Sequence, residues 1–305
     1  MEIKFYNRKE QKLETEKVYG DKAVQWLYRS SLGKFLSPIA TSHALSRFYG
    51  HLQDSSILSH YKVAPFIKKF NIPIDEYMPE KGLIHEPSNG IYGYSSFNSF
   101  FTRKFKKGVR SFPENSGEMG AFAEARYFGY ESLSDSDRVP VKGQYLNAHH
   151  ILKKPQYCEI FDNGPMLLAR LCPVDYHRFH FPDDGEVLDS YRIQGHLDSV
   201  NPMALKEKDE IFCENERHVT ILDTKNFGKL AYVEVGATMV GKIIQSYKGK
   251  TFKRAQEKGM FLFGASTVMV YGEKGLWKPS ADILDHTDKG LEVLIQLGDQ
   301  TAIKC

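Results

Sequence analysis

The chain has 305 residues, 41% apolar and 13% aromatic, enough for a sizeable core in one large domain or a catalytic domain with an extension, so disorder is not the default. With 41 basic against 38 acidic residues the net charge is +3, a balance that argues against a dedicated nucleic-acid binder. Cys158, Cys172, Cys213 and Cys305 are scattered without a CxxC pair, which favours reduced thiols in a cytoplasmic protein over a disulfide framework. No apolar run approaches the roughly 20 residues that span a bilayer, so a membrane partner would be met from its surface.

In chain order, residues 1–18 are polar and predict a short strand or tail. From Asp21 to about Phe70 the apolar positions Val24, Leu27, Tyr28, Leu32, Phe35, Leu36, Ile39, Leu45, Phe48, Tyr49 and Leu52 fall at three- and four-residue spacings and predict helices. Asp21 and Thr41-Ser42 are candidate N-caps, and Gly33, Pro38 and Gly50 punctuate the run. Lys22, Arg29, Lys34 and Arg47 are interleaved, with Trp26 near the stripe. Such a stripe serves either a helical subdomain packed on the rest of the chain or a basic amphipathic surface lying among anionic headgroups.

After Gly93, Ser96 stands as a cap before the aromatic stripe Phe97, Phe100 and Phe101, which ends at Arg103. A turn-rich break with Pro113, Asn115 and Gly117 follows at 110–118. From Met119 onward short β-branched or aromatic segments alternate with Gly, Asp and Asn turns, as at Met166 to Leu171, His218 to Leu222, Leu230 to Val235, Gly241 to Tyr247, Phe261 to Tyr271 and Leu291 to Leu297. This spacing predicts an antiparallel sandwich or barrel. The fold expectation is therefore α+β, with an N-terminal helical region over 1–110 and a β-rich, sandwich- or barrel-like catalytic domain over 111–305.

Two segments carry chemistry. Leu171-Cys-Pro-Val-Asp-Tyr-His177-Arg-Phe-His180-Phe-Pro182 is dense in histidine. An HxxH pair can hold a metal on a helix with a third ligand, but in a strand or turn positions three apart face opposite sides. That geometry suits two separate proton-handling roles, while Asp175 and Arg178 can be plain surface charges. Ser266 stands in Phe261-Leu-Phe-Gly264-Ala265-Ser266-Thr267-Val268, between two apolar runs. It can be a turn residue, a hydrolase nucleophile, a phosphate contact, or the hydroxyl that attacks its own preceding carbonyl to leave a pyruvoyl group. The second glycine of GxSxG is absent.

Taken together and in order, these segments resemble the phosphatidylserine decarboxylase family in its bacterial form, over about residues 94 to 300. The resemblance rests on Ser96-Phe-Asn-Ser-Phe-Phe-Thr-Arg103, Lys142-Gly-Gln-Tyr145, the Leu171 to Pro182 run and Gly195-His-Leu-Asp-Ser-Val-Asn-Pro202. It continues through Glu214-Asn-Glu-Arg217, Val233-Glu-Val-Gly-Ala-Thr-Met-Val-Gly-Lys-Ile243 and Lys258-Gly-Met-Phe-Leu-Phe-Gly-Ala-Ser-Thr-Val268. It implies a chain that cuts itself between Ala265 and Ser266 into a β chain of 1–265 and an α chain of 266–305. Ser266 would become a covalent pyruvoyl group that forms a Schiff base with phosphatidylserine and takes up the electrons left when CO2 departs. It further implies His180 as the base of the cut with a carboxylate behind it, His177 as the helper in decarboxylation, and a homodimer. An anionic membrane surface is the expected partner, met peripherally from the cytoplasmic face through Trp26, Leu27, Phe35 and Leu36.

The chain departs from that family at two places. The relay aspartate of a Pro-Ala-Asp-Gly segment is replaced in Phe122-Ala123-Glu124-Ala125 by Glu124, and Ala265 stands where glycine or serine is common. A glutamate can still orient an imidazole, so Glu124 keeps the relay position. The competing expectations are a lipid-binding paralogue with an inert Ser266 and a zinc hydrolase using His177 and His180.

Overall fold

A computed structural model describes residues 3–16, 30, 50, 52–133, 146–200, 202–208, 210–237, 242–264 and 266–305. The helical stripe expected over 21–49, with Trp26, Leu27, Phe35, Leu36, Lys22, Arg29, Lys34 and Arg47, lies outside the described residues. So do 142–145, 238–241 and Ala265.

The architecture is mixed α+β and dominated by sheet. Ten strands form one sheet in the spatial order Thr251–Phe252, Gly185–Ile193, Arg217–Thr224, Gly228–Val235, Ser266–Gly272, Met166–Leu171, Ala125–Tyr130, Glu292–Ile295, Lys4–Asn7 and Lys12–Thr15. Every pairing is antiparallel except that of Lys4–Asn7 with Glu292–Ile295. The middle strands Ser266–Gly272 and Met166–Leu171 are buried at every residue. That is why they read as unbroken apolar runs rather than as alternation. Gly185–Ile193, near the edge, is polar and partly exposed, and its pairing with Arg217–Thr224 holds it in the sheet.

A three-stranded sheet of Ile243–Gln245, Glu257–Phe261 and Arg178–His180 packs beside the large one, where Phe179, tilted against Phe261 of its own sheet, meets Tyr232 of the other. A second three-stranded sheet joins Trp277–Pro279, Gln300–Lys304 and Glu118–Gly120. The polar start of the chain forms the hairpin at the edge of the main sheet. Glu16, just past it, is clamped by Arg126 at 3.2 Å and Arg170 at 2.6 Å. Burial alone would raise that carboxyl, but the two guanidinium groups outweigh it and hold it at about 2.

Of the N-terminal helices, Ser56–Ser59 and Val63–Phe70 are described. Val63–Phe70 buries Val63, Phe66 and Ile67 at helical spacing and stops at Asn71, which takes the left-handed conformation at φ 52°. No helix among the described residues is long and apolar enough to cross a membrane. Phe97–Phe101 begins, as the sequence predicts, at Ser96, whose hydroxyl accepts from Ser99 N while the Ser99 hydroxyl accepts from Ser96 N. Its aromatic side chains join a second hydrophobic cluster around Phe66, Tyr94, Tyr176 and Phe263.

Candidate active site

Ser266 is the first residue of its strand and pairs across to Leu171, the last residue of the neighbouring strand. Two residues earlier Gly264 has φ 148°, a backbone conformation that side-chain-bearing residues rarely adopt, so the chain bends into the strand at a glycine. Ser266 is fully buried. A strand rather than a helix follows it, so no nucleophile elbow is formed.

The neighbouring strand ends in a turn that brings the first histidine back to this serine. Asp175 N donates to the Cys172 carbonyl at 2.9 Å, closing a four-residue turn with Pro173 at its second position. The Asp175 carboxylate accepts from Cys172 N at 2.7 Å and from Arg126 at 2.7 Å, which locks the turn from inside. The Asp175 side chain is thus largely covered, at 8% exposure, and paired with Arg126 rather than left as a free surface charge. Beyond the turn His177 is completely buried, with its ring stacked on Phe101 at 3.8 Å between centroids.

His177 Nε2 lies 2.8 Å from the Cys172 carbonyl, and Nδ1 lies 3.4 Å from Ser266 Oγ. A carbonyl can only accept, so Nε2 carries the proton and Nδ1 offers its lone pair to the serine hydroxyl. Burial, then the nearby Arg103 charge, pushes the imidazole pKa down to about 3 against the smaller opposing effect of the carbonyl. The ring is neutral and correctly oriented to take a proton from Ser266 Oγ.

His180 stands elsewhere. Its Nδ1 is 2.8 Å from the Ala255 carbonyl and its Nε2 is 3.3 Å from the Tyr176 hydroxyl. It therefore has the opposite tautomer, with the proton on Nδ1. Its pKa is lowered by burial, against the opposing pull of the Ala255 carbonyl and Glu257. The ring lines a cavity of about 300 Å³ together with Lys104, Lys106, Lys107, Arg110 and Tyr176. Arg178 between the two histidines bonds the Thr102 carbonyl and Glu257.

Glu124 is also placed apart from Ser266. Both its oxygens accept from Arg110, at 2.6 and 2.9 Å, and Oε2 also accepts from Leu297 N at 3.1 Å. The relay that the resemblance implies, Glu124 behind His180 behind Ser266, is therefore not the arrangement found. The imidazole at the serine is His177, its orienting group is the Cys172 carbonyl, and Glu124 is held by a forked ion pair. His177 and His180 face different partners and share no ligand position. Among the described residues no three His, Cys, Asp or Glu side chains gather as a metal site.

A pyruvoyl group at residue 266 fits these surroundings. The serine side chain already occupies a buried position facing a neutral imidazole, with Phe101 and Phe263 packed 5.0 Å apart nearby. The parts that sequence reasoning missed are backbone or cationic: the Cys172 carbonyl, Arg103 on the turn, and Arg110 on Glu124. Only the turn left a signal, in the Cys172-Pro173 step followed by Asp175.

Comparison with known proteins agrees with the resemblance. A sequence profile described as phosphatidylserine decarboxylase matches residues 97–294. Proteins named phosphatidylserine decarboxylase proenzyme align along nearly the whole chain. That of Clostridium tetani is 38% identical over 303 residues, covering 99% of this chain and 98% of the relative. That of Desulfitobacterium hafniense is 38% identical over 304 residues, covering 99% and 98%. That of Clostridium novyi is 38% identical over 304 residues, covering 99% of both.

Proposed function

The chain belongs to the phosphatidylserine decarboxylase family, and on that premise we propose that it is a proenzyme that cuts itself before Ser266 and then converts phosphatidylserine to phosphatidylethanolamine and CO2. The observation that carries this is the 3.4 Å approach of Ser266 Oγ to the unprotonated Nδ1 of His177. His177 takes the hydroxyl proton as Oγ attacks the carbonyl of residue 265, and the peptide C–N bond gives way to an ester. Loss of the Ser266 α-proton and of the carboxylate of residue 265 leaves a dehydroalanine at the new N-terminus. Water then replaces its nitrogen and ammonia leaves, giving the β chain of 1–265 with a free carboxylate and the α chain of 266–305 with a pyruvoyl group at its N-terminus.

That group, once formed, supplies the electron sink that decarboxylation needs. The chain's own residues do the rest. Phe101 and Phe263 keep water from the reacting position, and the Cys172 carbonyl keeps the His177 lone pair aimed at it. His180 lies in the lysine-lined cavity, where its role would be in proton handling outside the serine contact.

The substrate lies in a membrane, and docking is assigned within the first 110 residues, which also lend two strands to the main sheet and Phe101 to the site built on 111–305. Exposed large apolar side chains concentrate there: Ile57 at 88%, Tyr61 at 67% and Ile84 at 66% exposure, with Lys62, Lys68, Lys69 and Lys81 in the same segment. Apolar insertion together with basic charge suits the anionic cytoplasmic leaflet, which supports a peripheral location there; the homodimer rests on the family resemblance alone. Intact mass measurement tests the central claim. Two fragments separated before Ser266 are expected, and one full-length species in Ser266→Ala; an uncut wild-type chain overturns it.

A further inference from the structure

We infer that Asn98 is a positioning residue for the self-cleavage, held in register by Asp54; this rests on the proposed cut before Ser266. Asn98 is almost fully buried, and its two amide atoms face opposite kinds of partner. Its Oδ1 accepts from Phe263 N at 3.0 Å, and its Nδ2 donates to the Asp54 carboxylate at 2.6 Å. A backbone N–H requires an acceptor and a carboxylate requires a donor, so the orientation of the amide is fixed by chemistry. Phe263 immediately precedes Gly264, the residue at φ 148° through which the chain turns toward Ser266. Asn98 therefore pins the chain just upstream of the scissile bond.

The helix Phe97–Phe101 carrying Asn98 also reaches the base. Phe101 stacks on His177, and both Phe97 and Phe101 meet the Phe263 ring edge-on at 5.1 and 5.0 Å. Two residues past the helix, Arg103 donates to the Val174 and Asp175 carbonyls at 2.8 and 3.0 Å, on the turn that presents His177. One short segment thus fixes the distance between the proton acceptor and the bond to be cut. The other end is anchored in the preceding region: Phe97 N donates to Ser59 Oγ at 2.9 Å, and Asp54 lies five residues before that serine. A misplacement of about 1 Å at such a site costs on the order of a hundredfold in rate, so a single pinning amide is enough to matter.

The test is a swap. In Asn98→Asp the acceptor to Phe263 N is kept, but two carboxylates then face each other where a donor is needed. We expect release of the Ser266 fragment to slow by about tenfold, the size expected for one hydrogen bond to a charged group, here the carboxylate of the exposed Asp54. Adding Asp54→Asn restores the complement with its sense reversed, and cleavage is expected to recover to within about threefold of wild type, the kind of coupling a double-mutant cycle isolates. Asn98→Asp alone should also cut faster as the pH falls from 8 toward 5, since one proton shared by the two carboxylates restores the donor. A purely packing role would give neither the rescue nor the pH dependence. If Asn98→Asp does not fold, Asp54→Ala leaves Phe263 its acceptor but frees the amide, and slower cutting with an unchanged melting temperature is expected. Wild-type rates in Asn98→Asp, no recovery in the swap, or an unslowed Asp54→Ala overturns the inference. An uncut wild-type chain instead overturns the proposed cut itself.

Discussion

His177 and His180 are three residues apart in one motif, and each has a carbonyl on one nitrogen and a hydroxyl on the other. They differ in tautomer and in what closes around the ring. His177 sits in a sealed pocket with a carbonyl on one nitrogen, a serine hydroxyl on the other and a phenylalanine ring against its face. His180 has the reverse tautomer, a tyrosine hydroxyl in place of the serine, and a wall in a cavity lined by lysines. The difference arises from the short strand Arg178–His180, which starts between them. His177 is delivered by the turn before the strand, and His180 by the strand itself, whose partner Glu257–Phe261 turns it toward Ala255. Two identical side chains acquire opposite tautomers from a change of backbone state within four residues.

The largest effect expected from breaking this comparison is on the cut. His177→Ala should slow release of the Ser266 fragment by roughly 10²- to 10⁴-fold, the usual worth of a positioned base. His180→Ala should slow it far less. Timed denaturing gels of freshly made precursor read both. Equal loss in the two variants, or a larger one in His180→Ala, would return the base to His180 and sink the assignment made from the Ser266 contact.

A smaller effect is expected from loosening the turn that separates the two environments. Asp175→Ala removes the acceptor of Cys172 N and leaves Arg126 with one carboxylate fewer, while the His180 contacts to Tyr176 and Ala255 are untouched. Arg126 keeps Glu16, so the cost is that of leaving Cys172 N without its acceptor, about 1–3 kcal/mol, and a fall in melting temperature should accompany slower cutting. Unaltered stability would mean that the turn holds itself without the carboxylate.

The sequence made part of this arrangement visible. Ser266 and His177 stand out because a hydroxyl between apolar runs and a histidine-dense segment both depart from ordinary core composition. The buried strands Met166–Leu171 and Gly228–Val235 are visible for the same reason. Gly185–Ile193 is not, because its residues are polar and only pairing with Arg217–Thr224 makes it a strand. The long apolar run from Phe261 to Tyr271 conceals two strands in different sheets, divided at Gly264. The contacts of Glu124 were the least visible. Its acceptance from Leu297 N comes from 173 residues away, and a carboxylate in a motif position looks the same whichever cation claims it, here Arg110. Glu16 with Arg170 is a further case, at a separation of 154 residues.

The smallest expected effect is a flat line, and it separates an enclosed base from a solvent-exposed one without a mutation. With its pKa pushed to about 3, His177 stays neutral from pH 5 to 8, so its capacity to accept the Ser266 proton does not change across that range. The cutting rate of the wild-type precursor should therefore vary by less than about twofold between these limits. Stability behaves differently. The unfolded imidazole, with its ordinary pKa near 6.5, binds a proton that the folded one refuses, so His177 makes the fold less stable as pH falls below about 6.5 and down to about 3. Measured on folded precursor, a rate that falls about tenfold for each pH unit below 6.5 would identify a base with a solvent-like imidazole pKa. That is a ring in contact with water, and not one enclosed between Phe101 and Ser266.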